Sequence, residues 1–127
     1  VGFDYNRVNM LLAILEKRLG MDFGTQDVYV NVVGGARVPE PAADLAVIAA
    51  IVSSYRNKPV MPGILAVGEV GLTGEVRRVG FVERRIKEAQ NLGFQKFVTP
   101  TGNLSAKSLP TGIIQVNTVE EALAAFF

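Results

Sequence analysis

Ser53 and Ser54, with Lys58 close behind them, are the nearest approach in this chain to a nucleophile with a base beside it. A serine and a lysine perform acyl transfer when the amine takes the hydroxyl proton at hydrogen-bond distance. Their setting argues against that chemistry, because both serines fall at the carboxyl end of an apolar helical run, where hydroxyls face solvent or bond the backbone. The sequence holds no histidine and no cysteine, which removes imidazole bases, thiol nucleophiles, Cys/His zinc sites and disulfides. Asp44 stands alone as a charge in the run Ala42 to Tyr55. A carboxylate among apolar neighbours is costly unless a cation or backbone donors meet it, so capping, or pairing with Arg7 or Arg37, is its expected role. Gly34, Gly35, Gly68, Gly71, Gly74 and Gly80 fit no phosphate-binding pattern and read as turn residues.

The basic residues are unevenly spread. Arg77, Arg78, Arg84, Arg85 and Lys87 fall within eleven positions, with Glu83 the single acid between them. Clustered arginines suit phosphate oxygens; the competing reading is a solvated edge whose charges pair with Glu69, Glu75 and Glu88. Thirteen basic against twelve acidic residues leave a net charge of +1, so any nucleic-acid contact depends on this local clustering. Arg37, close behind Gly34-Gly35, is a further candidate for phosphate or for a neighbouring subunit. Few aromatics accompany these cations, so base stacking is not expected.

The elements that must position these residues follow from periodicity. At 127 residues the chain is expected to form one domain, 1–127, able to bury a core without metals or disulfides. With 49% apolar and 20% charged residues it sits at the upper edge of globular usage, which leaves apolar surface for a partner. Asp4 to Leu19 reads as an amphipathic helix with Val8, Leu11, Leu12, Leu15 and Leu19 on one face, stopped by Gly20. Asp27 to Val33 alternates as a strand. Ala42 to Tyr55, entered through Pro41, reads as a helix with no clear solvent stripe, lying between layers or in a subunit contact.

Ile64 to Val70, Leu72-Thr73-Gly74 and Glu75 to Val79 read together as a hairpin. Glu83 to Leu92 is helical, Lys96 to Thr99 a strand, Asn103 to Lys107 a helical turn and Ile113 to Val116 a strand. Thr118 with Glu121 three residues on is a capping box that opens the last helix. The order predicts a mixed α/β (α+β) domain. The longest apolar run, Leu45 to Val52, falls well short of the roughly 18 residues that span a bilayer, so no membrane association is expected. No leader-like segment opens the chain, and a cytoplasmic location is expected.

Four ordered motifs carry a resemblance. They are Gly2-Phe-Asp-Tyr-Asn-Arg-Val-Asn-Met-Leu-Leu12, Asp27-Val-Tyr-Val-Asn-Val-Val-Gly-Gly-Ala-Arg37, Glu40-Pro-Ala-Ala-Asp-Leu-Ala46 and Gly68-Glu-Val-Gly-Leu-Thr-Gly-Glu-Val-Arg-Arg-Val79. Together they closely resemble the carboxy-terminal Lon-protease-like domain of the bacterial RadA (Sms) DNA-repair ATPases, across essentially the whole chain. The resemblance implies the Lon proteolytic fold, of the ribosomal S5 domain 2 type. It also implies that the Lon serine position falls on Ala42 and the Lon lysine position on Glu83, or on Arg84 or Arg85 if the register slips. No serine–lysine dyad is then expected.

For the surface, the resemblance implies a homo-oligomeric ring, a hexamer, and a contact with duplex DNA backbone through Arg37, Arg77, Arg78, Arg84, Arg85 and Lys87 during branch migration. Tyr5, Arg7, Tyr55, Arg56, Phe126 and Phe127 are the interface candidates. ATP, magnesium and zinc are expected only in upstream parts of a longer parent, with no cofactor in this domain. Two rival readings remain: a module that docks a recombinase or replicative helicase, and a residual serine peptidase built on Ser53 or Ser54.

Overall fold

The computed structural model describes residues 5–23, 41–105 and 109–127. The predicted strand Asp27 to Val33, the Gly34-Gly35 turn and Asp4 lie outside them. Helix α1 runs Tyr5–Leu19, and a 3-10 turn Pro41–Ala43 leads into α2, Asp44–Arg56. Strand β1 is Ile64–Ala66, β2 Glu69–Val70 and β3 Val76–Arg77; α3 is Val82–Asn91, β4 Lys96–Pro100, β5 Ile113–Val116 and α4 Val119–Phe126. The described elements form the mixed α/β architecture that the periodicity predicts.

Three strands form a parallel sheet in the order β1-β4-β5, with Leu65 opposite Phe97 and Val98 opposite Ile114. The period of two along a strand sends successive side chains to opposite faces, and β4 shows the consequence. Val98 joins the larger core, with Leu11, Leu15, Leu45, Ile48, Val52, Leu123 and Phe126 from α1, α2 and α4. Its neighbour Phe97 joins a second core on the other face, with Val82, Ile86 and Ala89 of α3 and with Val67 and Leu104. The parallel sheet is therefore covered on both sides, as parallel sheets are.

Two sequence expectations need correction. The run Ile64 to Val70 does not form one arm of a hairpin: β1 pairs with β4 in the parallel sheet, and only Glu69–Val70 pairs with β3, antiparallel. The chain changes sheet at Val67 and Gly68, where the Val67 amide donates to the Val98 carbonyl and the Gly68 amide to the Ala42 carbonyl. Asn103 does not open a helical turn either; residues 101–104 are turn and bend, with the Asn103 side chain spent on backbone, while Ala106 and Lys107 lie outside the described residues.

Helix α2 buries Leu45, Ile48, Ala49, Ile51 and Val52 and leaves Ala46 and Ala50 exposed, so its outer stripe exists but is made of small residues. Asn57, left-handed at φ 52°, ends it. The capping box of α4 forms as expected: Glu121 N–H donates to the Thr118 hydroxyl, and the Glu121 carboxylate accepts from the Thr118 N–H.

Candidate functional site

The start of α2 is bolted to the segment that follows β1. Ala42 accepts from Gly68 N–H at 3.0 Å and Leu45 N–H donates to the Gly68 carbonyl at 3.2 Å, so one glycine brackets the helix start. The fit excludes a side chain: a Cβ on Gly68 would lie 2.8 Å from Leu45 Cδ1 and 2.9 Å from Val76 Cγ1. Asp44 has no exposed surface. Its carboxylate accepts from Arg7 Nε at 2.7 Å, from Arg7 Nη2 and from the Val70 N–H at 2.9 Å. The arginine fork answers the buried charge in the bidentate manner that suits carboxylates, and it ties α1, α2 and β2 together. Of the two partners that charge balance allowed, Arg7 is the one the fold supplies among the described residues.

Ala42 sits in this junction, 7% exposed, with a methyl group as its whole side chain. Glu83 lies exposed in the first turn of α3. Neither supplies the hydroxyl or the amine of a serine–lysine dyad. Ser53 donates to the Lys58 carbonyl at 2.6 Å and lies at the far end of α2, about 16 Å from Ala42 at 1.5 Å per residue. Ser54 is exposed beside it. Among the described residues no group of three or more Asp, Glu, His or Cys is placed to hold a metal ion, and no helix is long and apolar enough to cross a membrane.

The basic residues divide according to their partners. Arg77 is braced: its guanidinium donates to Glu75 Oε2 at 2.9 and 3.1 Å and stands 3.7 Å from Glu69. The Thr73 hydroxyl, with the backbone N–H of Glu75 and the Arg77 guanidinium, holds the Glu75 carboxyl down at about 2, and Glu75 in turn raises Arg77. Arg85 Nε donates to the Gly80 carbonyl at 3.0 Å. Arg78, Arg84 and Lys87 are exposed, and no described carboxylate lies within ion-pair distance of them. Arg37 lies outside the described residues.

Sequence reasoning missed Phe81, which is 72% exposed and left-handed at φ 61°, directly before α3. Arg84 stands over its ring, 5.5 Å from the centroid. An open groove runs past Phe81, Val82, Glu83, Arg84 and Asn103. The signal available in sequence was an aromatic directly after a glycine in a turn, which composition alone does not separate from a core residue.

The interface candidates also divide. Phe126 is 1% exposed in the core between α2 and α4, a correction: on α4 it falls on the same face as Val119, Ala122 and Leu123, which the sheet requires. Arg7 is engaged internally with Asp44, and Tyr55 packs edge-on against Phe23 and accepts the Asp22 N–H. Arg56 and Phe127 stack on each other, 5.6 Å from guanidinium to ring centroid. The Tyr5 side chain lies outside the described residues.

Residues 10–123 match the Lon protease (S16) C-terminal proteolytic domain. The chain is 50% identical over 124 residues to the DNA repair protein RadA of Bacillus subtilis (strain 168), covering 96% of this chain and 27% of that protein. It is 48% identical over 128 residues to the DNA repair protein RadA of Streptococcus pneumoniae, covering 99% and 30%. The RadA of Halalkalibacterium halodurans is 48% identical over 124 residues, covering 96% and 27%. The chain thus spans under a third of the length of these relatives.

Proposed function

The chain belongs to the Lon protease (S16) C-terminal proteolytic-domain family, in the form that RadA DNA-repair proteins carry, and from that premise we propose that it is a proteolytically inactive, single Lon-like domain, 1–127, of the ribosomal S5 domain 2 type. Its role is to join the subunits of a DNA-repair ATPase into a ring, a hexamer, and to offer a basic edge to duplex DNA during branch migration in the cytoplasm. The motor, with its ATP, magnesium and zinc, belongs to other parts of the parent.

The observation that carries the loss of peptidase activity is Ala42, a buried methyl at the helix start where the resemblance puts the nucleophile. The resemblance puts the lysine position on Glu83, or on Arg84 or Arg85 if the register slips; none of these is an amine that takes a proton, and at Ala42 there is no hydroxyl to give one. A peptidase built instead on Ser53 lacks support, because that hydroxyl is spent on the Lys58 carbonyl.

DNA contact is supported by Arg78, Arg84 and Lys87, which are exposed and without carboxylate partners among the described residues. Arg77 and Arg85 belong to the same proposed surface, and Arg37, which lies outside the described residues, is proposed as a further DNA contact. For assembly, the proposal rests first on exposed Arg56 and the half-buried Phe127 ring stacked on it, with Tyr5 and Tyr55 as further candidates.

Light scattering of the chain over a concentration series tests the scaffold role. Mass that rises with concentration to a closed oligomer is the expected result, and Arg56→Ala should shift that rise to higher concentration. A strict monomer at every concentration removes ring formation from this domain. In that case docking of a recombinase or replicative helicase becomes the better reading of the same surface.

A further inference from the structure

Phe81 is an exposed aromatic whose position is fixed from several sides. A bulky residue at positive φ is uncommon and persists only where its surroundings determine it. Here the Asn103 side chain accepts from Val79 N–H at 2.9 Å and donates to the Val79 carbonyl at 2.7 Å. Arg85 fastens the next peptide through the Gly80 carbonyl, and the Arg85 N–H donates to the Phe81 carbonyl at 3.0 Å. The turn is therefore rigid while the ring it carries remains 72% exposed.

The surroundings of that ring are cationic. Arg84 stands over it. Arg78 reaches Gly102, next to Asn103 in the groove wall, where a Cβ would lie 2.6 Å from its Nη2. Lys87 lies one turn further along α3 than Arg84. The acidic residue of the groove is Glu83. An apolar peptide would need an apolar rim, and along α3 the exposed large apolar residue is Leu92, eleven residues from Phe81 at the far end of the helix, about 16 Å along the axis. A single flat ring flanked by arginines that meet no carboxylate among the described residues matches a ligand that is itself a flat π-system between phosphates.

We propose that Phe81 is a stacking platform for an unpaired nucleobase, with Arg78 and Arg84 taking the phosphates beside it. This rests on the DNA-contact reading above and deepens it by naming what in the DNA the surface selects. In an intact duplex each base face is covered by its neighbours, so the ring finds a partner only where the stack is interrupted by a gap, a fork or a single-stranded end. Base–aromatic stacking tolerates any base, since each has a π-face, so the preference is for structure and not for sequence.

The test compares the wild-type chain with Phe81→Gly and Phe81→Trp on two DNAs that share a sequence, one an unbroken duplex and one with a single unpaired 2-aminopurine in a gap. Glycine adopts the left-handed conformation without cost, so Phe81→Gly removes the ring and keeps the turn; circular dichroism and thermal melting verify the fold. The wild type is expected to bind the gapped DNA more tightly and to quench the 2-aminopurine. Phe81→Gly should lose about tenfold of gapped-DNA affinity and the quenching, with duplex binding unchanged, while Phe81→Trp keeps both.

Equal binding of the two DNAs by the wild type, or quenching that survives in Phe81→Gly, overturns the stacking proposal and leaves the DNA-contact reading standing. Absence of binding to either DNA overturns both. Loss of self-association in Phe81→Gly with DNA binding unchanged assigns the ring to a contact between copies and likewise overturns the proposal.

Discussion

A carboxylate without exposed surface must be answered by donors, and Asp44 is answered by the Arg7 fork and the Val70 N–H. Arg7→Met keeps most of the aliphatic stem and removes the charge, leaving Asp44 buried with the Val70 N–H alone. Removing one partner of a buried pair is strongly destabilising, and with a quarter of the Arg7 side chain exposed the expected cost is about 3 kcal/mol. The urea midpoint should fall with the slope unchanged; an unchanged midpoint would mean that the pair carries no stability. The sequence narrowed the partner of Asp44 to two arginines by charge alone, but the choice depends on contact across 37 positions, which periodicity does not encode. Ala42 became a candidate for a different reason: the resemblance puts the serine position there, and the lack of a hydroxyl is readable without any geometry. Ala42→Ser restores that hydroxyl but supplies no amine beside it, so the variant is expected to leave an unstructured protein such as casein uncleaved. Turnover by Ala42→Ser would show that another group serves as base and would defeat the inactive-peptidase reading.

The hairpin β2–β3 is held at its tip by Glu75, which accepts from the Thr73 hydroxyl at 2.6 Å, the Thr73 N–H at 3.1 Å and Arg77. Because the folded carboxyl titrates at about 2 and not near its ordinary 4.5, its contribution is complete above about pH 4.5 and is lost as pH falls toward 2. Nuclear magnetic resonance titration of the Glu75 carboxyl should give a midpoint near 2, and Thr73→Val, which deletes the largest cause, should move it upward. A Glu75 midpoint at the ordinary value in the unaltered chain would remove this brace. The turn itself was legible, because Leu72-Thr73-Gly74 is local chemistry, as was the capping box at Thr118. What the sequence hid was the break between β1 and β2. Ile64 to Val70 keeps a strand-like composition throughout, and only the remote β4 and the start of α2 decide that Gly68 leaves one sheet and enters another. Local signals are read from local residues, while a change of sheet is decided by partners about 30 positions away.

For the molecule as a whole, covering the parallel sheet on both faces leaves function to the outside. Helices α1, α2 and α4 close one face and α3 the other, and of the exposed cations Arg84 and Lys87 stand on α3, with Arg78 just after β3. Their separate environments predict how DNA affinity should respond to salt. A cation that neutralises a phosphate releases a counterion, so removing one such contact lowers the slope of log affinity against log salt by about one. Arg78→Gln and Arg84→Gln should each do so, because no described carboxylate competes for either guanidinium. Arg77→Gln should change the slope much less, since Arg77 already lies against Glu75 and Glu69 and would have to give them up to meet a phosphate. Equal effects from Arg77, Arg78 and Arg84 would mean that net charge alone attracts DNA to this edge. Unchanged slopes in all three, with weakened binding of a partner protein, would turn the basic edge into a docking surface. The unequal response is the outcome that ties DNA contact to the folded arrangement, because along the chain Arg77 and Arg78 are adjacent and only the fold gives one of them two carboxylates.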